Sequence, residues 1–141
     1  VWYILGEGEL RAELEGLIKT NELVKEVKLV GIKENPYPYI AGCDIFAQTS
    51  RYEGKSIALD EAKILNKPIL VTNYATVGAS INSGENGLIV SMNGESVAEG
   101  LMQLSENQQL RNQLVENLKK EKTGNEEEIN KYIQLIEENL N

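Results

Sequence analysis

The chain has 141 residues, 41% hydrophobic and 26% charged, the balance of a soluble globular domain long enough to bury a core. A net charge of −8 and the lack of any Lys/Arg stripe exclude a nucleic-acid backbone as the main partner, and no apolar run approaches the ~20 residues of a membrane span. Histidine is absent, which excludes His-dependent nucleophile systems and His-ligated metal sites in this sequence; with Cys43 as the single cysteine no internal disulfide can form, so a reducing compartment is the simpler reading.

Val1–Leu5 is rich in aromatic and β-branched residues and reads as a strand closed by Gly6-Glu7-Gly8. It begins without Met and without the basic region or cleavage site of a signal peptide, which suggests a domain cut from a longer protein. Leu10, Leu14, Leu17 and Ile18 recur at helical spacing and predict a helix with one apolar stripe. Val27–Val30 predicts a second strand, closed by Gly31, and Asn35-Pro36-Tyr37-Pro38 breaks the chain before a short helix to about Gly42. Asp44–Gln48 predicts a third strand. The loop TSRYEGK leads to a helix over about Ser56–Leu65, ended by Asn66-Lys67-Pro68. Ile69–Thr72 and Leu88–Val90 complete the strands, the last entered through an Asn86-Gly87 turn. Ser96 with Glu99, Ser105 with Gln108 and Thr123 with Glu126 have capping-box spacing and predict three closing helices. The last, over about 126–139, carries Ile129, Tyr132, Ile133 and Ile136 on one face and could cross to another domain.

Strands alternating with helices predict an α/β fold: a Rossmann-like parallel sheet, buried by helices on both faces, in a single domain over 1–141. The Gly6-Glu7-Gly8 turn resembles part of a dinucleotide fingerprint, but Arg11 stands where its third glycine belongs, and Glu7 and Glu9 place negative charge where a pyrophosphate would sit. A tight strand-to-helix turn explains it better.

The segment Thr49–Val71 carries the chemistry. Glu53 and Gly54 lie in a loop at the carboxyl edge of the predicted sheet, where open α/β folds bind ligands. Glu61 lies about a turn and a half into the following helix, and helical side chains tilt toward the N-terminus, so its carboxylate can lean back toward the loop. The free amides near Lys55–Ala58 suit a phosphate. Two carboxylates flanking an anion site suit a ligand with hydroxyls on both sides of a diphosphate better than they suit an acid/base pair. Asp60, adjacent to Glu61, points about 100° away and reads as solvated.

These residues resemble the C-terminal domain of retaining GT-B glycosyltransferases of the group 1 type (family 4). The resemblance runs through YILGEGEL, VKLVGIK, the S-x-x-E-G of CDIFAQTSRYEG, the E-x7-E pair Glu53 and Glu61 followed by Ala62, the Pro68-Ile69 strand entry and Asn86-Gly87-Leu88-Ile89-Val90. It implies that the chain is the C-terminal half of a GT-B fold. The donor, a nucleoside diphosphate sugar, would give up its glycosyl group to an acceptor hydroxyl with retained configuration, in the synthesis of surface polysaccharide or glycoconjugate. By that resemblance Glu53 meets the donor sugar and is the catalytic residue, Glu61 binds ribose, Gly54, Lys55, Ser56 and Ile57 meet the sugar and diphosphate, and Gly31 and Ile32 meet the nucleobase. The family's phosphate-neutralising Arg and Lys would lie before Val1, and the sugar or lipid-linked acceptor would bind a missing N-terminal domain, the only route to peripheral membrane association. The resemblance implies no metal and no cofactor beyond the donor, and a cytoplasmic enzyme that can work at the inner membrane face. Lys55-Ser56-Ile57-Ala58 departs from the common F-G-L-P between the glutamates, and Asn66 replaces a usual Gly, leaving the sugar open. Two rivals remain: a sugar-nucleotide epimerase half, against which the missing histidine counts, and a non-catalytic nucleotide-binding α/β module.

Overall fold

The computed structural model describes residues 1–121; the expected helix at 126–139 and its Thr123–Glu126 cap lie outside the described residues. The chain divides into two compact units, Val1–Tyr39 and the remainder from Ile40. In the first, β1 (Trp2–Leu5) and β2 (Val27–Gly31) pair in parallel around the crossover helix α1 (Arg11–Thr20). In the second, β3 (Phe46–Gln48), β4 (Ile69–Thr72) and β5 (Leu88–Val90) form a parallel ladder in the order β3-β4-β5. The helix α2 (Tyr37–Gly42) precedes β3, α3 (Ile57–Ile64) connects β3 to β4, and α4 (Gly94–Glu106) and α5 (Gln108–Lys120) follow β5. A short 3-10 turn at Val77–Ala79, not evident in the sequence, lies between β4 and β5. The expected parallel α/β pattern is present, with the strands hydrogen-bonded as two ladders rather than one continuous sheet.

β4 is the centre of the second unit. It is paired on both edges, and Ile69, Leu70 and Val71 have no exposed surface. Strand side chains alternate between faces. Ile69 and Val71 therefore join Leu59 and Ala62 of α3, Val77, Ile81 and Leu118 in one cluster, while Leu70 joins Leu88, Leu104 and Leu114 in another. This is the helix-covered, two-faced burial expected for such strands. β1 departs from it: Trp2, Tyr3 and Leu5 are exposed, and the stripe on α1 is exposed at Leu10, Leu14 and Leu17, so that helix contributes no buried residue.

The closing helices start at asparagines, not at the serines whose spacing suggested caps. Asn93 Oδ1 accepts from the Ser96 amide at 2.8 Å, and Asn107 Oδ1 accepts from the Leu110 amide at 2.9 Å. Asn caps at least as well as Ser, and Asn93 has the extended backbone a cap requires, so the signal three residues upstream prevails. Ser96 and Ser105 both end up inside α4.

Gly100 lets α4 approach the sheet: a Cβ there would stand 2.6 Å from Leu70 Cδ1 and 2.8 Å from Val90 Cγ1, whereas a Cβ at Gly94 would meet nothing within 4 Å. Gly100→Val should destabilise the protein by roughly 1–3 kcal/mol through overpacking. Gly94→Ala should be neutral or stabilising by up to about 1 kcal/mol, because alanine narrows the unfolded ensemble. Thermal unfolding of the two variants checks this ordering.

Candidate functional site

The site begins with strand β3, which delivers Gln48 to the carboxyl edge of the ladder opposite Val71. The chain then turns through Thr49–Lys55 before α3. Ser56 caps that helix, its Oγ accepting from the Leu59 amide at 3.2 Å. Among the described residues the amides of Ile57 and Ala58 in the first turn have no carbonyl partner, as at any helix start. A helix start with free amides therefore follows the loop, although Asp60 in the same turn adds a negative charge. Asp60 is not simply solvated. Its Oδ2 lies 3.9 Å from Lys55 Nζ, an exposed pair of little energetic worth that nonetheless brings loop and helix charges together.

Among the described residues, Glu53 is held on one oxygen only. Ser50 Oγ donates to Glu53 Oε1 at 2.6 Å, and Gln48 Nε2 donates to the same atom at 2.9 Å. The same Gln48 amide nitrogen also donates to Ser56 Oγ at 2.9 Å. The main chain is tethered as well: Thr76 Oγ1 donates to the Glu53 carbonyl at 2.8 Å, and Thr72 Oγ1, at the end of β4, donates to the Ser50 carbonyl. A cleft of about 260 Å³ opens beside the loop, lined by Tyr52, Glu53, Gly54 and Ala75. That is just below the ~300–1,000 Å³ typical of small-molecule sites.

The remaining expected residues fall as follows. Lys55 and Ile57 are exposed beside the loop, and Gly54 has open space where a Cβ would stand. Glu61 is half-buried on α3, its carboxylate making no hydrogen bond or ion pair to any described residue, while its carbonyl accepts from the Leu65 amide. Gly31 and Ile32 belong to the first unit. Gly31 ends β2 at φ +71°, and a Cβ there would stand 2.9 Å from Glu7 Oε1; Ile32 is 74% exposed. The Gly6-Glu7-Gly8 segment is a turn, as expected: Gly6 has φ +120°, its amide donates to the Gly31 carbonyl at 2.9 Å, and Arg11 pairs with both Glu7 and Glu15. Arg11 thus occupies the fingerprint's missing-glycine position as an ion-pair partner of the turn.

Gln48, Thr72 and Thr76 were not singled out from the sequence. The available signal was a lone amide side chain ending an otherwise apolar strand. Gln48 Oε1 is buried and accepts from no described protein donor, a burial that costs about 1–3 kcal/mol. Turning the amide over would face that oxygen toward Glu53, which is less favourable still. Among the described residues no group of three or more His, Cys, Asp or Glu could hold a metal ion, and no helix is long and apolar enough to cross a membrane.

The chain matches the family of glycosyl transferases group 1 over residues 1–121 and belongs to it. Among curated relatives, the N-acetylgalactosamine-N,N'-diacetylbacillosaminyl-diphospho-undecaprenol 4-alpha-N-acetylgalactosaminyltransferase of Campylobacter jejuni is 37% identical over 110 residues, covering 77% of this chain and 30% of that protein. The poly(ribitol-phosphate) alpha-N-acetylglucosaminyltransferase of Staphylococcus aureus is 28% identical over 109 residues, covering 75% of this chain and 22% of its own length. The chain thus spans less than a third of these relatives. Among solved structures, HepE of Anabaena in complex with UDP-glucose superposes with a TM-score of 0.73 at 26% identity, covering 82% of this chain and 34% of that one. A Staphylococcus aureus TarM mutant, solved with fondaparinux, alpha-GlcNAc-glycerol and UDP, shares the fold with a TM-score of 0.81 at 23% identity, covering 94% of this chain and 28% of that one.

Tyr74, 3% exposed behind the loop, has its phenol pushed up by burial and then by the Glu53 and Asp60 carboxylates. Its neutral form is favoured by folding, so its contribution to stability is complete below the ordinary phenol pKa of about 10 and is lost as pH rises beyond it. Comparing unfolding midpoints at pH 8 and about 10.5, the drop should be smaller in Tyr74→Phe than in the parent protein.

Proposed function

We propose that the chain is the donor-binding half of a glycosyltransferase that takes its glycosyl group from a nucleoside diphosphate sugar. The observation that carries this reading is the arrangement around α3: a loop carboxylate, Glu53, gripped on one oxygen, beside a helix start with free amides and followed by the unpaired carboxylate of Glu61. The family membership and the likeness to a UDP-glucose complex support it.

In this reading the diphosphate lies against the amides of Ile57 and Ala58, with Lys55 beside it. Glu53 Oε2 accepts from sugar hydroxyls and Gly54 lets the backbone come close. Glu61 accepts from the vicinal ribose hydroxyls. The bond from the sugar's anomeric carbon to the diphosphate oxygen breaks, a bond to the acceptor oxygen forms with the configuration retained, and the acceptor's proton leaves with the departing diphosphate. The chain's part in this is positioning and electrostatic stabilisation of the leaving group. The acceptor site belongs to sequence that the relatives carry outside the matched third. The acceptors in the relatives' names, a diphospho-undecaprenol-linked sugar and poly(ribitol-phosphate), favour surface-polysaccharide or glycoconjugate synthesis.

Calorimetric titration with UDP, GDP and ADP, each with and without glucose, tests the assignment. Glu61→Ala should weaken nucleotide binding by ~1–3 kcal/mol whether or not the sugar is attached. Glu53→Ala should leave the free diphosphate nearly unaffected and weaken only the sugar-bearing form. Equal losses for both ligands in both variants would overturn the division of roles.

A further inference from the structure

We propose that Gln48 is a positioning residue that sets where Glu53 presents its free oxygen to the donor sugar, an inference that rests on the donor-binding reading of Glu53 above. The amide of Gln48 uses both hydrogens of one nitrogen, one toward Glu53 Oε1 at 2.9 Å and one toward Ser56 Oγ at 2.9 Å. It therefore ties the loop carboxylate to the residue that caps α3, and with it fixes the spacing between a hydroxyl acceptor and the first-turn amides. Ser50 alone would hold Glu53 within its own loop, since the two lie three residues apart. Gln48 instead holds it to the ladder, because β3 is paired to the fully buried β4.

Three features favour positioning over packing. The Gln48 oxygen is buried without a described protein donor, so the side chain is not an optimised structural element. Both of its partners keep another contact without it, Ser50 on Glu53 and the Leu59 amide on Ser56, so neither is orphaned when it is removed. The loop it restrains is otherwise exposed, with Tyr52 projecting into solvent, and a glutamate there without the second tether has several side-chain torsions free.

The experiment compares the full protein with Gln48→Met, Gln48→Glu, Glu53→Gln and the double variant Gln48→Met/Glu53→Gln. Each is titrated with UDP-, GDP- and ADP-glucose and with the corresponding free diphosphates, and each is unfolded thermally. Gln48→Met keeps length and removes both donors and the unpaired acceptor, so its unfolding midpoint should stay close to the parent's. Its affinity for whichever sugar nucleotide binds should fall about tenfold relative to the free diphosphate, and this loss should vanish when Glu53→Gln is already present. Gln48→Glu, which sets a carboxylate against Glu53, should lose at least as much. Loss of both ligands in equal proportion, or a loss that persists unchanged in the Glu53→Gln background, would show a structural role and overturn the proposal. Parent-like discrimination by Gln48→Met and Gln48→Glu, with Glu53→Gln impaired for the sugar alone, would overturn it while leaving the reading of Glu53 intact. A Glu53→Gln variant that discriminates normally would overturn that reading itself, and the proposal with it.

Discussion

Strand β4 is paired on both edges and buried on both faces, and the candidate site inherits its geometry from that burial. Each aliphatic side chain on it is worth about 1.5–3 kcal/mol when removed from water, and Ile69, Leu70 and Val71 are removed completely. Leu59 and Ala62 must cover one face, which fixes the azimuth of α3 and sends its N-terminus to the carboxyl edge. Thr72, the last residue of β4, is itself buried, and its hydroxyl finds its acceptor in the Ser50 carbonyl. The loop that bears Glu53 is thereby anchored to the most completely buried strand of the unit. On the far side of α3, Lys63 reaches the Ser80 carbonyl at 3.1 Å and Glu121 at 2.8 Å, so the helix is held at both ends.

The loop itself has little apolar surface with which to order itself. Its structure comes from side-chain hydrogen bonds, and those to a charged group such as the Glu53 carboxylate are worth a net ~1.5–3 kcal/mol each. Immobilising a glutamate side chain costs ~1.5–2 kcal/mol of rotamer entropy. One donor roughly matches that cost, and two on the same oxygen exceed it. Gripping only Oε1 also leaves the second oxygen's lone pairs uncommitted, whereas a bidentate ion pair would have ordered the side chain and consumed its acceptors together.

Much of this is legible in the sequence because it is local. The strands at Val27–Gly31, Ile69–Thr72 and Leu88–Val90, the Ser56 helix start and the spacing of Glu53 and Glu61 follow from runs and periodicities a few residues long. What the sequence hid is non-local or competitive. Choosing between Asn93 and Ser96 as caps requires knowing where the backbone turns extended. The apolar stripe of α1 announces a helix correctly but does not say whether anything covers it. The role of Gln48 depends on a strand end, a loop and a helix cap meeting at one amide nitrogen, and it has no signature in spacing. Helical angle alone separates Asp60 from Glu61 and predicts it solvated, while its contact with Lys55 arises from the fold of the preceding loop.

The first unit has a different economy from the second. It comprises only 39 residues, two paired strands and one helix that buries no side chain, with Leu10, Leu14, Leu17, Leu23 and Val24 all exposed. A two-stranded ladder of that kind is marginal by itself in water. Its peptide hydrogens are therefore protected by local opening equilibria of small free energy, while those of β4 are released only when two hydrophobic clusters come apart. Solvent-exchange protection should accordingly be low around the Gly31 turn and high from Ile69 to Thr72.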